Sequence, residues 1–237
     1  LLIGQAALTQ QLSPMVWDDD IRPQGISFSQ SYVVADFHRF EWSAGTYQLN
    51  HTFDDETSLS AFQTGVRFFE GGQTQLNVHI GRFSFDQTDE LTQHGIRRTN
   101  RPGVGGELLS GYTLTDFQTE LVIRKWDQPF TMAINAVDNN DANDENQAAR
   151  VDFIWGDSGE KQGLEFGTAF QRIQRDAVLA PFNDDDWWFP TAVRGLTVWG
   201  AYGVTANSKV RLALFNERRD DLADNNSRVL LDYSHQF

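Results

Sequence analysis

The stretch that most constrains the fold is residues 228–237, where side chains alternate in character. Every second residue forms an apolar and aromatic row: Val229, Leu231, Tyr233, His235 and Phe237. The residues between them are mainly polar: Arg228, Leu230, Asp232, Ser234 and Gln236. A repeat of two residues indicates a β-strand with two unlike faces. A strand that ends on an aromatic residue is typical of a transmembrane β-barrel. An edge strand of a soluble β-sandwich is the alternative.

The same alternation recurs along the chain, and no segment has helical periodicity. In residues 164–171, for example, Leu164, Phe166 and Phe170 alternate with Glu165 and Gln171. We count about twelve such segments of roughly nine to thirteen residues, the length of membrane-crossing strands. They are predicted to begin near residues 1, 26, 39, 57, 73, 108, 128, 147, 162, 193, 207 and 227. The sequence therefore predicts an all-β, antiparallel transmembrane β-barrel with about 12 strands in this chain.

Connections between the predicted strands alternate between two lengths. The short ones include residues 70–72, 126–128, 157–160 and 205–207, and the long ones are 10–25, 86–107, 138–146, 174–190 and 218–226. Short turns on one rim and long loops on the other are typical of outer-membrane barrels. A soluble sandwich gives no reason for this rhythm.

Composition excludes several classes of function. The formal net charge of −14 argues against a nucleic-acid partner, because phosphates would be repelled. The chain has no Cys, which excludes disulfides and thiolate metal sites. The acidic residues 138–145 resemble a calcium loop only loosely, since the central Gly and terminal Glu of an EF-hand are missing. We therefore expect no metal and no cofactor.

Hydrophobic content of 40% combined with 13% aromatic residues suits a barrel with aromatic girdles and a wet lumen. No apolar run reaches about 18 residues, so no transmembrane helix is expected. Residues 1–237 are predicted to form a single barrel domain that lacks N-terminal strands, because residues 1–4 look like the middle of a strand. A complete barrel of about 16 strands, wide enough for an aqueous channel, stays open as an alternative.

Two stretches are similar to a bacterial porin family of the outer membrane. Residues 15–25, MVWDDDIRPQG, resemble the family's VWDxDxNPxG loop, although Gln5 stands where the preceding strand of the family has a basic residue. Residues 154–186 resemble a family segment that reads WSFGYAYRYLEADAVLAAFTDSDF and precedes the final strands. The resemblance covers the C-terminal part of the family's usual length. It implies a porin-like barrel in the cell outer membrane, without a defined substrate and without catalytic residues.

Charged residues within the strands are the candidate pore lining. An arginine facing lipid at mid-membrane costs about 2–4 kcal/mol, so most strand arginines are expected to face the lumen or a rim. The predicted pore-lining residues are Arg67, Arg82, Arg124, Glu120, Glu165, Arg211 and Arg228. Their charges either create a transverse field across a pore or fill a closed lumen with salt bridges, and the sequence leaves both alternatives open.

Two further sets of residues carry functional predictions. The loop of residues 86–107 is predicted to be the constriction, because it is the longest connection and holds Arg97, Arg98, Arg101 and Glu107. Aromatic residues expected at the membrane interface are Trp187, Trp188, Tyr233 and Phe237.

The function predicted from these features is passive diffusion of small hydrophilic solutes or ions, without enzymatic activity. The expected partners are membrane lipid and lipopolysaccharide, the barrel-assembly machinery through the C-terminal strand, and further copies in a homotrimer. A closed barrel that serves as an envelope scaffold or adhesin platform is the first alternative, and a soluble sugar-binding β-sandwich is the second. A hydrolase built from His79, Asn77 and Ser84 is a weaker alternative that no other feature supports.

Overall fold

The computed structural model describes residues 1–35, 37–49, 57–88, 91, 99–183 and 186–235. Its strands are β1 (Leu2–Gln5), β2 (Gln24–Ala35), β3 (His38–Gln48), β4 (Ser58–Phe68), β5 (Thr74–Asp86), β6 (Tyr112–Ile123), β7 (Phe130–Asn139), β8 (Gln147–Gly156), β9 (Leu164–Ile173), β10 (Val193–Thr205), β11 (Ser208–Arg219) and β12 (Asn226–His235). They form one antiparallel sheet of 12 strands in chain order. The all-β class and the strand number predicted from the sequence are confirmed, and the described strands do not divide into the two sheets of a sandwich.

Strand positions agree closely with the alternation in the sequence. Most strands begin within two residues of their predicted start, and β6 begins at Tyr112 instead of near residue 108. Residues 102 and 108 form an isolated bridge that closes a turn just before β6, so residue 108 lies outside the sheet. The periodicity therefore located the strands because it is set by the local pleat of the backbone.

Each strand separates its side chains onto an inner and an outer face. In β5, Gln75, Asn77 and His79 are buried, whereas Ile80 and Arg82, which point to the opposite face, are exposed. We call the side that carries Gln63, His79, Gln118, Asp152 and Arg211 the inner face, because the long connections pack against it. We call the opposite side, which carries Phe62, Ile80, Phe117, Val198 and Leu212, the outer face. Register between neighbouring strands keeps these sets together across the sheet.

The connections at the two rims of the sheet differ in length. The links between β2 and β3, β4 and β5, β6 and β7, and β10 and β11 are short and lie at one rim. Residues 6–23, 87–111 and 174–192 connect strands at the other, long-loop rim. These links follow the predicted alternation of short and long connections, but residues 140–146 and 220–225 at the long-loop rim are no longer than residues 157–163 at the other rim.

A hydrophobic core lies at the long-loop end of the inner face. It joins strand ends to residues of the long connections, and its largest fully buried members include Tyr112, Phe83, Met15, Leu59, Leu91 and Leu179. Burying such side chains contributes about 1.5–3 kcal/mol each, which holds the long connections against the sheet.

The two edge strands do not meet. Within the described residues β1 pairs only with β2 and β12 pairs only with β11, so the sheet is not closed. Residues 28–35 of β2 and residues 231–235 of β12 are exposed on both faces. The described part of the chain contains no helix that is long and apolar enough to cross a membrane.

Candidate functional site: the polar interior of the sheet

Residues 8–17, the infolded segment, run along the inner face. The backbone N–H of Gln11 donates to the side-chain Oε1 of Gln63 at 2.8 Å, and the amide of Gln63 donates back to the carbonyl of Gln11 at 2.6 Å. The side-chain Nε2 of Gln118 donates to the same carbonyl at 3.0 Å. β4 and β6 therefore hold one backbone position of the segment through three hydrogen bonds.

The end of the infolded segment is anchored by apolar contacts. Met15, Val16 and Trp17 are buried in the hydrophobic core, and the Trp17 ring stacks on Phe182 with 5.6 Å between ring centroids. The N–H of Asp18 donates to the carbonyl of Phe182 at 2.7 Å. This part of the connection is fixed by packing, whereas Gln11 is fixed by side-chain amides.

Glu41 in β3 is the centre of a charged cluster below the infolded segment. Its carboxylate lies 3.1 Å from Nε of Arg67 and 2.5 Å from Nε2 of His79. His79 is only 3% exposed, and its ring lies across the backbone of Gly65, where an added Cβ would fall 2.1 Å from the ring. Glycine at position 65 therefore makes room for the ring that reaches Glu41.

A cavity of about 300 Å³ adjoins this cluster. Its walls carry hydroxyl, amide and charged groups from the infolded segment and β2 to β5, among them Thr9, Gln11, Ser43, Gln63, Arg67 and His79. These groups can donate and accept hydrogen bonds, so the cavity is suited to water and small polar solutes.

Paired polar groups continue across the inner face of β5 to β8. The amide of Asn77 donates to Glu120 at 2.8 Å. Arg150 binds Asp152 through Nε and Nη2 at 2.8–3.0 Å, and its Nη1 donates to the amide oxygen of Gln171 at 3.2 Å. Each of these buried or half-buried charges has a partner, as a desolvated charge requires.

The last strands contribute a second cluster. The guanidinium of Arg211 lies 3.1 Å from Asp186 and 3.5 Å from Asp232, and 5.6 Å from the centre of the Trp199 ring. Nε1 of Trp199 donates to Glu165 at 2.9 Å. Asp186 belongs to the connection between β9 and β10, so this loop folds inward and reaches the inner face.

Most predicted pore-lining residues lie on the inner face. Sheet register places Arg67, Glu120, Glu165, Arg211 and Arg228 there, and Arg228 lies over the ring of Phe215 at 5.3 Å. Arg67 and Arg211 each form an ion pair with a carboxylate on the neighbouring strand, and Arg150 pairs with Asp152 on its own strand. Salt-bridge filling therefore describes these charges better than two opposed charged walls.

Two of the predicted lining residues lie elsewhere. Arg82 stands opposite Phe62 on the outer face, so its predicted inward orientation is wrong. Its place follows from the pleat, because Ile80 two residues earlier shares its face. Arg124 follows β6 at the short-loop rim, where its Nη1 donates to the carbonyl of Gly72 at 3.4 Å.

The predicted constriction loop has a different role in the described residues. Arg97 and Arg98 lie outside those residues. Arg101 forms ion pairs with Asp176 and Asp144 at the long-loop rim, and its backbone N–H donates to Asp176 at 2.9 Å. Nearby, Gly103 and Gly105 lie against the side chain of Glu107. Among the described residues, segment 8–17 and Asp186 reach the polar inner face, so the predicted place of Arg101 and Glu107 at a constriction there is wrong.

Electrostatics strengthen this rim contact. Hydrogen bonding and charge attraction from Asp144 and Asp176 raise the pKa of Arg101, although partial burial of the guanidinium acts in the opposite direction. The same hydrogen bond from Arg101 lowers the pKa of Asp144. The acidic connection between β7 and β8 thus binds an arginine of this chain, and the described residues contain no cluster of potential metal ligands.

The predicted interface aromatics divide into three cases. Trp187 is only 5% exposed and packs edge-on against Phe215, so its prediction as a membrane-interface residue is wrong. Trp188 is 60% exposed and Tyr233 is 67% exposed, which leaves both accessible to an interface. Phe237 lies outside the described residues.

Sequence reasoning missed the pairing of Gln11 with Gln63 and the partner of His79. Alternation alone gives His79 no partner, whereas in the structure it binds Glu41. The only available signal was alternation, which put Glu41, Gln63 and His79 on polar faces without showing that those faces meet. Ser84 lies on the outer face, so the His79, Asn77 and Ser84 set is not brought together.

No protein-family model matches this chain, and no curated protein matches it. The resemblance to the porin family therefore stays a prediction based on the two quoted stretches.

Proposed function

We propose that the protein is an outer-membrane β-barrel of the porin type, through which small hydrophilic solutes diffuse passively past residues 8–17. The observation that carries the proposal is the contrast between an apolar outer face and a polar, charge-paired inner face. A soluble one-sheet protein would have no reason to expose its apolar side chains in this way.

The outer face supports contact with lipid. Large exposed side chains occur on it from β2 to β12, including Phe28, Phe62, Ile80, Phe117, Phe166, Val198, Leu212 and Leu231. A continuous row of this kind suits the apolar band of a membrane barrel. An outer-membrane location, assembly through β12 and association of copies are parts of the same proposal.

The inner face favours small neutral solutes over strongly charged ones. Glu41, Asp152 and Asp232 are each matched by an arginine, and Glu120 and Glu165 accept hydrogen bonds from neutral side chains, so these carboxylates are engaged within the protein. Hydroxyl and amide groups around the cavity near Gln11 can exchange hydrogen bonds with a hydrated solute. We therefore expect weak ion selectivity in spite of the net charge of −14.

A plugged barrel that serves as an envelope scaffold is the second candidate. The observation that favours it is the hydrophobic core at the long-loop end, in which residues 15–17 and 177–182 join the ends of β3 to β10. If that core fills the whole cross-section of the barrel, no path for water runs through it.

Conductance in planar bilayers separates the two candidates. Detergent-purified protein is expected to produce discrete current steps, with a reversal potential close to zero in a salt gradient. Correct insertion without current steps would favour the scaffold, and solubility without detergent would contradict both candidates.

A further inference from the structure

Three arginines form a row on the outer face near the long-loop rim. Arg194 in β10 is directly paired in register with Arg172 in β9 on one side and with Arg218 in β11 on the other. Side chains directly opposite each other on one face have Cβ atoms about 4.5–5.5 Å apart. The three guanidinium groups can therefore converge on one ligand.

This row has no internal compensation. None of the three guanidinium groups has an ion pair or a hydrogen bond with any residue in the described ranges, whereas Arg175 and Arg219 nearby both contact Asp221. Like charges that face each other across strands destabilise a sheet. An arrangement of this kind is favourable when an anion occupies the position between the charges.

An apolar groove of about 620 Å³ adjoins the row. Val151, Phe170 and Leu196 pair with one another across β8, β9 and β10, two residues from the arginines along β9 and β10. Two residues of a strand separate the rows by about 7 Å. Positive charge thus lies beside an exposed hydrocarbon surface, which is complementary to an anionic amphiphile.

We propose that Arg172, Arg194 and Arg218 bind the phosphate of a phosphorylated lipid, whose acyl chain lies on Val151, Phe170 and Leu196. Guanidinium groups bind phosphate oxygens through paired, charge-assisted hydrogen bonds. The ligand class is a phosphorylated glycolipid with several acyl chains, such as the lipid A part of lipopolysaccharide.

The position of the row agrees with this ligand. The three arginines lie near the strand ends from which residues 174–192 and 220–225 emerge, and long loops face the cell exterior in outer-membrane barrels. Phosphorylated glycolipid would occupy the leaflet at that level. This inference rests on the proposed membrane location, and it adds a ligand that the conduction proposal does not require.

The test is a binding titration of detergent-purified protein with diphosphoryl lipid A, measured by native mass spectrometry. Arg172→Ala, Arg194→Ala and Arg218→Ala are compared with Arg124→Ala, which changes an exposed arginine at the opposite rim. Each variant in the row is expected to weaken binding about tenfold, because it removes charge-assisted hydrogen bonds to the phosphate. Arg124→Ala is expected to bind like the unmodified protein.

Two further ligands test whether binding needs the acyl chains as well as the phosphate. Inorganic phosphate and the deacylated diphosphorylated headgroup should bind much more weakly than lipid A, since they cannot use the groove. Equal affinity of the deacylated headgroup, or unchanged lipid A affinity in all three row variants, would overturn the proposal. Either result in protein that inserts and conducts would leave the proposed function standing, whereas failure to insert would contradict that function separately.

The stability of Arg194→Ala, measured with and without lipid A, tests the site independently of the titration. Without lipid A, Arg194→Ala should not destabilise the protein, because the substitution removes like-charge repulsion. With lipid A present, the unmodified protein should become the more stable of the two. Absence of this reversal would count against the site even if all variants fold.

Discussion

The inner face has two levels that differ in how they hold the same connection. Near the long-loop rim, Trp17 is stacked on Phe182 in a hydrophobic core. Further down the strands, Gln11 is held by Gln63 and Gln118, and charges such as Glu41 and Arg67 are paired. One face of a single sheet is therefore sealed by apolar packing at one level and stays polar at another. Under the proposed function, solute passage would depend on how completely the apolar level is filled.

The largest effect is expected from opening the apolar level. Trp17→Ala should lower the free energy of unfolding by about 3–5 kcal/mol, because a buried aromatic ring is replaced by a cavity. Urea titration in detergent measures this change. Trp188→Ala is the matched control, since Trp188 is largely exposed. Equal losses in both variants would show that Trp17 does not anchor the infolded segment.

The polar level is tested next by crowding His79. Gly65→Ala should cost about 1–3 kcal/mol, because the new methyl group overlaps the ring and displaces it from Glu41. The same substitution in a His79→Ala background should cost much less. Gly200→Ala is the control, as its nearest neighbours lie at an ordinary 3.5 Å. An equal cost in the His79→Ala background would show that overlap with the His79 ring is not the cause.

Loosening the infolded segment at its polar contact should have a smaller effect. Gln63→Ala removes two hydrogen bonds to Gln11, each of which contributes about 1 kcal/mol. Faster protease cleavage within residues 8–17 is the expected signature. Gln48→Ala, on the exposed end of β3, should leave the cleavage rate unchanged. Unaltered cleavage in Gln63→Ala would show that Gln118 and the apolar anchor suffice.

The smallest effect concerns pH at the long-loop rim. Arg219 lowers the pKa of Asp221 and Arg101 lowers that of Asp144, each mainly through a hydrogen bond, from an ordinary value of 3.8. A pKa that is lower in the folded state stabilises the protein above the unfolded value, and this contribution is lost as pH falls through the folded value. Urea midpoints should therefore fall slightly on acidification from about pH 5 to about pH 2. A double Asp144→Asn and Asp221→Asn variant should show a shallower fall, and an identical profile would contradict the assignment.

Much of the fold could be predicted because alternation is a local property of the strand. Register then placed Glu165 and Arg211 on the inner face as expected. Arg82 lies on the outer face because its spacing from Ile80 fixes its side, whatever its charge. The infolded segment could not be predicted, because Gln118 and Gln11 meet across the sheet, 107 residues apart in the chain. The prediction for Trp187 was wrong for a similar reason, since Gly195 in β10 leaves the space that its ring fills.

The most direct test of the account is whether the outer face meets lipid. Because the chain has no Cys, single spin labels can be placed by Val198→Cys and Leu212→Cys on the outer face and by Lys209→Cys on the inner face. In lipid vesicles, the two outer labels should be relaxed by oxygen and protected from a water-soluble nickel complex, and the Lys209 label should show the reverse. Strong nickel access at Val198 and Leu212 would contradict the membrane barrel.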